Sequence, residues 1–414
     1  MEILVIVALI VGFYMAWNIG ANDVANSMAD AVGSKSLTIF WAVILAAICN
    51  FAGAVLVGSH VTDTVRKGII DTQAFAQDPQ VLAHGMVCAL VAASVWLNAA
   101  SFFGMPVSTT HSIVGAIAGF GILTMGLSHI HWAKLGQIVA SWFISPLVGG
   151  ILAFIAFKLI SRYILSAKKP ALAARKGVPI CAFFTFMIII LATIYKGLKN
   201  LHLDLNAPQA FILSIVGGLI AAVICHFLVK RSRYSNHETS FEKQLAQVEK
   251  TFTYLVIITS CTVAFSQGAN DVANAIGPLA AVAEIVKNNA IPGKVDVSIW
   301  YLVLGGIGIA FGLAMFGFRV MRVVGTQMTE ITPSRGVAAD LGGMVTVLVC
   351  SKLGLPISTT HVLVGAILGV GLARGITAID RKVVGSIFTS WLITIPIAAG
   401  LTIVFYLVAK WLWW

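Results

Sequence analysis

Gly20-Ala21-Asn22-Asp23-Val24-Ala25-Asn26 lies inside the first long apolar stretch of the chain and returns, letter for letter, as Gly268-Ala269-Asn270-Asp271-Val272-Ala273-Asn274. Each copy sets a carboxylate and two amides where a bilayer segment should be apolar. A charge at mid-membrane costs about 3 kcal/mol on insertion scales. The chain accepts that cost twice, at matched positions, which marks the pair as functional.

The surrounding composition fixes the class. Of 414 residues, 59% are hydrophobic and 10% charged, against about 25% charged in soluble domains. Apolar runs of roughly 20 residues, each able to cross a ~30 Å hydrocarbon core, recur along the whole sequence. A backbone in lipid must satisfy its own hydrogen bonds, so the spans are helices. The reading is an all-α polytopic membrane protein with about twelve transmembrane helices. Glu2 precedes the first apolar run with no basic segment before it, so that run reads as a retained span and not as a signal peptide. The net charge of +11 sets orientation in a membrane protein and does not call for nucleic acid. Six scattered cysteines without a C-x-x-C pair read as small hydrophobes.

A second landmark also repeats. Pro106-Val107-Ser108-Thr109-Thr110-His111 matches Pro356-Ile357-Ser358-Thr359-Thr360-His361, and Ser141-Trp142 matches Ser390-Trp391. The order and spacing are kept, which divides the chain into repeat one (1–163), a linker with two spans (164–251) and repeat two (252–414). Lys230–Lys250 in that linker reads as a solvated connector, amphipathic enough for a short surface helix. Lys168, Lys169, Arg175, Lys176, Lys230, Arg231, Arg319 and Arg322 gather on ends that become cytoplasmic if both termini are outside. Arg66, Lys67, Lys199 and Lys294 fall on the opposite side. Five spans and then two linking spans make repeat two start inside, inverted relative to repeat one. Inverted repeats with interrupted helices are the architecture of secondary transporters.

The residue types then suggest the chemistry. Gly20 and Gly268 should weaken their helices and permit local unwinding. Exposed carbonyls, with the amide oxygens of Asn22, Asn26, Asn270 and Asn274, would suit a small cation. Each Pro-x-Ser-Thr-Thr segment follows a helix break and opens a new helix, whose free N–H groups and dipole favour an anion. Ser108, Thr109, Thr110, Ser358, Thr359 and Thr360 add hydroxyl donors without net charge. Two such ends facing each other would cage a tetrahedral oxyanion. Asp23 and Asp271 together with that anion cannot stay uncompensated at mid-membrane, so Na⁺ or H⁺ must enter with it. Gln267 is a possible accessory ligand, and His111 and His361 read equally as interface residues or proton carriers. Protease readings fare worse: aspartyl proteases need two carboxylates sharing a proton, and a serine protease needs Ser-His once, not twice.

At these motifs the chain resembles the inorganic phosphate transporter (PiT) family across both repeats. The resemblance implies a symporter of inorganic phosphate in the cell inner (plasma) membrane, driven by Na⁺ or H⁺, dimeric and without a prosthetic group. It assigns phosphate contacts to Asp23, Ser108, Thr109, Asp271, Ser358, Thr359 and Thr360, to which the hydroxyl reading adds Thr110. Asn22, Asn26, Asn270 and Asn274 would contact the cation. Within the same fold, a sulfate or metal–phosphate carrier is the competing reading.

Overall fold

The computed structural model describes residues 2–58, 69–197, 206–231, 240–291, 297–352, 357–375 and 379–413. Arg66, Lys67, Lys199, Lys294 and Pro356 lie outside the described residues. The elements, in order, are α1 (Glu2–Asp23), α2 (Ala25–Gly33), α3 (Ile39–Val57), α4 (Pro79–Phe102), α5 (Thr109–Met125), α6 (Trp132–Ile160), α7 (Pro170–Gly197) and α8 (Ala207–Arg231). There follow α9 (Phe241–Asn288), α10 (Ile299–Arg322), α11 (Pro333–Lys352), α12 (Thr359–Arg374) and α13 (Arg381–Trp413). Among the described residues nine helices are long and apolar enough to cross a membrane, while α5 and α12 are shorter apolar helices. Their outer faces carry exposed Phe143, Leu147, Leu219, Phe227 and Leu392. So continuous an apolar surface belongs in lipid.

Helix directions follow from close contacts. Gly12 of α1 meets Leu279 of α9, whereas Gly336 touches both Asp30 of α2 and Val256 of α9. Rising numbers in α1–α2 thus meet falling numbers in α9, and the two helices that carry the repeated motif run antiparallel. Partnering is reciprocal. The first motif helix lies parallel to α10, with Gly312 on Trp17 and Gly325 on Ala29. The second lies parallel to α3, with Gly53 on Phe265 and Gly58 on Val272. In the same way Gly115 of α5 abuts Ile395 of α13, and Gly365 of α12 abuts Pro146 of α6.

Two helical hairpins carry the Ser-Thr-Thr segments. The base of α4–α5 is closed by a bridge between Ile70 and Ile130 and by Phe75 stacked on Phe120. The base of α11–α12 is closed by the Asp380 N–H donating to Met328 and by Glu330, which pairs with Arg374 at 2.9 Å.

Two sequence expectations are corrected. The motif helices do not unwind. The first is interrupted only at Val24, which keeps helical dihedrals, and α9 runs unbroken through the second motif. Gly20 and Gly268 serve close packing instead. A Cβ on Gly20 would collide with the Ile309 backbone, and one on Gly268 with the Asn50 backbone. Nor does 241–250 form a separate surface helix. It is the first part of α9, held because Glu249 accepts hydrogen bonds from the Thr332 hydroxyl and from the N–H and hydroxyl of Ser334. Those donors sit at the start of α11, where free N–H groups favour a carboxylate.

Candidate anion and cation site

Each hairpin turn ends in a capped helix. Ser108 and Ser358 adopt extended dihedrals, and their side-chain oxygens accept from the N–H groups of His111 and His361. This is N-capping, so these two hydroxyl oxygens are spent on their own helices. The threonines that follow are left to face inward.

They converge on Asp23, which is fully buried. Thr109 of the first hairpin donates to its Oδ2 at 2.8 Å. Thr360 of the second donates to its Oδ1 at 3.2 Å. Asn26, one helical turn on, donates to the same Oδ1 at 2.9 Å and also lies 2.8 Å from the Thr360 hydroxyl. From the other motif, Asn274 donates to Thr109 at 3.3 Å and Thr110 at 3.1 Å. One carboxylate is thus held by both hairpins, and the amides of both motifs stand around the same hydroxyls. No basic side chain pairs with it among the described residues, where the two ion pairs both involve Glu330. A buried carboxylate with only neutral donors keeps its charge at a cost of several kcal/mol, and a bound cation would lower that cost. Among the described residues no group of three or more His, Cys, Asp or Glu is placed to hold a metal ion. A cation here would take oxygen ligands from carboxylate, amide and hydroxyl groups.

The remaining sequence candidates divide. Asp271 is buried, but it is not among the residues that grip Asp23. Asn270 is half-buried and likewise stands apart. Thr359 joins Asn26, Ser266 and Gln267 in lining a cavity of about 50 Å³ beside the cluster. Asn22 has a different task. Its amide donates to the Ser101 hydroxyl at 3.1 Å and the Met105 carbonyl at 3.0 Å, and its oxygen accepts from the Val107 N–H at 3.0 Å. That pins the first hairpin turn to the motif helix. The histidines meet at the centre, 4.8 Å apart, with His361 stacked on Trp391 at 3.6 Å and His111 against Trp142. Trp391 in turn donates to the Pro106 carbonyl. Two buried carboxylates, Asp30 and Asp340, were missed by motif reading because neither repeats. An Asp inside an apolar helix is the signal that could have found them.

The family model for the phosphate transporter family matches residues 19–402, a stretch that contains both motif pairs. The chain belongs to the phosphate transporter family. Relatives within it include the protein called "Putative phosphate permease" in Haemophilus influenzae, 42% identical over 98% of this chain and 97% of that one. Another is the inorganic phosphate transporter 2-1, chloroplastic, of Arabidopsis thaliana, 40% identical over 96% of this chain and 70% of that protein. Among solved structures, one described as the sodium-dependent phosphate transporter superposes with a TM-score of 0.88 at 41% identity, covering 99% of this chain and all of that one. As a phosphate transporter family member, the chain is a transporter built of membrane-spanning helices.

Proposed function

We propose that this protein imports inorganic phosphate across the cell inner membrane by symport with Na⁺, with alternating access between two inverted repeats. The observation that carries the proposal is the Asp23 carboxylate gripped by one threonine from each hairpin. Thr109, Thr110 and Thr360 supply hydroxyls to phosphate oxygens, and the starts of α5 and α12 supply the favourable end of two helix dipoles. Phosphate oxygens that carry protons can donate to Asp23 or Asp271, which a sulfate cannot do at neutral pH. Asn26 and Asn274, with carboxylate oxygens, offer hard ligands to the cation. Asn22, whose polar atoms anchor the hairpin turn, is the weakest of the four amides for that role.

Electrostatics gives the coupling. Carboxylates and phosphate together are strongly negative, so the loaded site is stable only when cations neutralise it. The antiparallel motif helices and their reciprocal partners support the inverted-repeat reading. Rocking of one repeat against the other then exchanges the site between the two faces. Sodium is favoured because the structural relative is described as sodium-dependent. The reading also places both termini outside and pairs two copies in the membrane.

The test is phosphate uptake into proteoliposomes under separately imposed Na⁺ and H⁺ gradients. A Na⁺ gradient should drive accumulation against a phosphate gradient. If neither gradient does so, symport is wrong; competition by sulfate as strong as by arsenate would instead favour a sulfate carrier.

A further inference from the structure

Asp30 on α2 and Asp340 on α11 are each 1% exposed. Their counterparts in the opposite repeat are Pro278 and Leu90, so the pair is a feature of one half-and-half interface and no part of the duplicated site. Thr259 of α9 donates to Asp340 Oδ2, and Ser260 lies 3.4 Å from the same oxygen. Neither Asp30 oxygen, and not Asp340 Oδ1, receives a donor from any described group. Gly336, one turn before Asp340 on α11, packs on the Asp30 side chain, where a Cβ would lie 3.2 Å from Asp30 Cβ, so the two carboxyls are near neighbours.

That contact has a chemical requirement. An ionised carboxylate only accepts hydrogen bonds, so two of them in contact cannot bond. Two like charges 4 Å apart repel by about 4 kcal/mol even at an effective dielectric of 20. One proton removes the repulsion and supplies the missing donor. The neighbours offer no other neutralisation. Beyond the hydroxyls, α9 brings the Cys261 thiol, itself against Cys49 of α3. The turn after α10 brings Gly325 against Ala29, next to Asp30, and α7 and α12 bring Ala192, Thr359, Val362 and Leu363 to the adjoining cavity. Arg335, on the first turn of α11, is engaged by Glu330.

A route also exists. Asp340 lines the same 50 Å³ cavity as Asn26, Gln267 and Thr359. Gln267 is 2% exposed, and its side-chain oxygen has no donor among the described residues. A space of that size admits a water, and an orphan acceptor on its wall is where such a water would donate.

We propose that Asp30 and Asp340 form a proton-binding site, with one proton held between the two carboxyls and exchanged through the Gln267 cavity. That the pair binds a proton stands by itself; that this proton travels with substrate, alongside Na⁺, rests on the transporter reading above.

Infrared difference spectra of the purified protein, taken without phosphate across a pH series, test the first part. The wild type should show a carboxylic-acid C=O band that shifts in D₂O and is lost in both Asp30→Asn and Asp340→Asn. The same band in the wild type and both variants would overturn the proposal. Should either variant fail to purify as a single species, Thr259→Val provides the alternative. Loss of a donor to the ionised form should let the band persist to higher pH, and an unmoved titration would overturn the proposal. For the second part, accumulation driven by a pH gradient is divided by phosphate exchange in the same proteoliposomes. The ratio should fall at least tenfold in Asp30→Asn; an unchanged ratio with the band lost would refute proton carriage. Absence of exchange in the wild type would sink the transporter reading and leave the spectroscopic result intact.

Discussion

Asn22→Ala separates two roles for an amide that makes three hydrogen bonds. The side chain satisfies the Ser101 hydroxyl, the Met105 carbonyl and the Val107 N–H. All three lie in or beside the turn that presents Thr109 to Asp23. Truncation leaves two backbone groups without a protein partner, and each unsatisfied buried group costs about 1–3 kcal/mol. Water entering the gap would recover part of that, so about 3 kcal/mol for the pair is a fair working value. At 1.4 kcal/mol per tenfold, local opening of the turn should become about 100-fold more frequent. Hydrogen exchange followed by mass spectrometry over peptides covering 101–109 reads this directly, because local opening controls exchange of the Val107 amide. Protection should fall by about two orders of magnitude at the turn while α8, remote from it, is unaffected. If protection stays within threefold of wild type and only the Na⁺ requirement of transport rises, Asn22 is a cation ligand and the anchoring argument is wrong.

Thr109→Val keeps the shape but removes the 2.8 Å donor to Asp23; a hydrogen bond to a charged group contributes about 1.5–3 kcal/mol, so phosphate affinity should drop at least tenfold in a binding titration, and unchanged affinity would remove Thr109 from the site. Gly268→Ala should abolish the single-species elution profile, because the new Cβ meets Asn50 backbone, whereas Gly136→Ala, with nothing within 4 Å, should elute as wild type. Glu249→Gln weakens the acceptor for three donors at the start of α11. A loss of about 1–2 kcal/mol should lower the thermal midpoint measurably, and an unchanged midpoint would deny Glu249 its capping role.

The sequence announced the class, the duplicated motifs and most of the cluster gathered around Asp23. Composition required helices in lipid, since no other open backbone is stable there. The duplicated motifs pointed to Asp23, Asn26, Asn274, Thr109 and Thr360, which the fold gathers within hydrogen-bonding distance. The sequence reading assigns the Ser108 and Ser358 hydroxyls to the anion, whereas the structure spends their oxygens on capping, a role that Pro-x-Ser-Thr-Thr as a local helix-start signal also allows.

What sequence could not settle depends on partners distant along the chain. A glycine in a polar motif reads equally as a point of unwinding or as a contact surface; Gly20 and Gly268 became contacts only because Ile309 and Asn50 backbones press on them. The four asparagines are equivalent as letters. Only the fold turned Asn22 toward the hairpin turn and Asn26 toward Asp23. Asp30 and Asp340 are single acids in unrelated helices, 310 positions apart in the chain, and no pattern links them. Packing of α11 on α2, where Gly336 meets Asp30, brings them face to face. Local chemistry, capping and hydropathy are written in short stretches of sequence. Pairing of buried charges is decided by tertiary packing, because a carboxylate's charge state and role depend on which atoms replace the water it has lost.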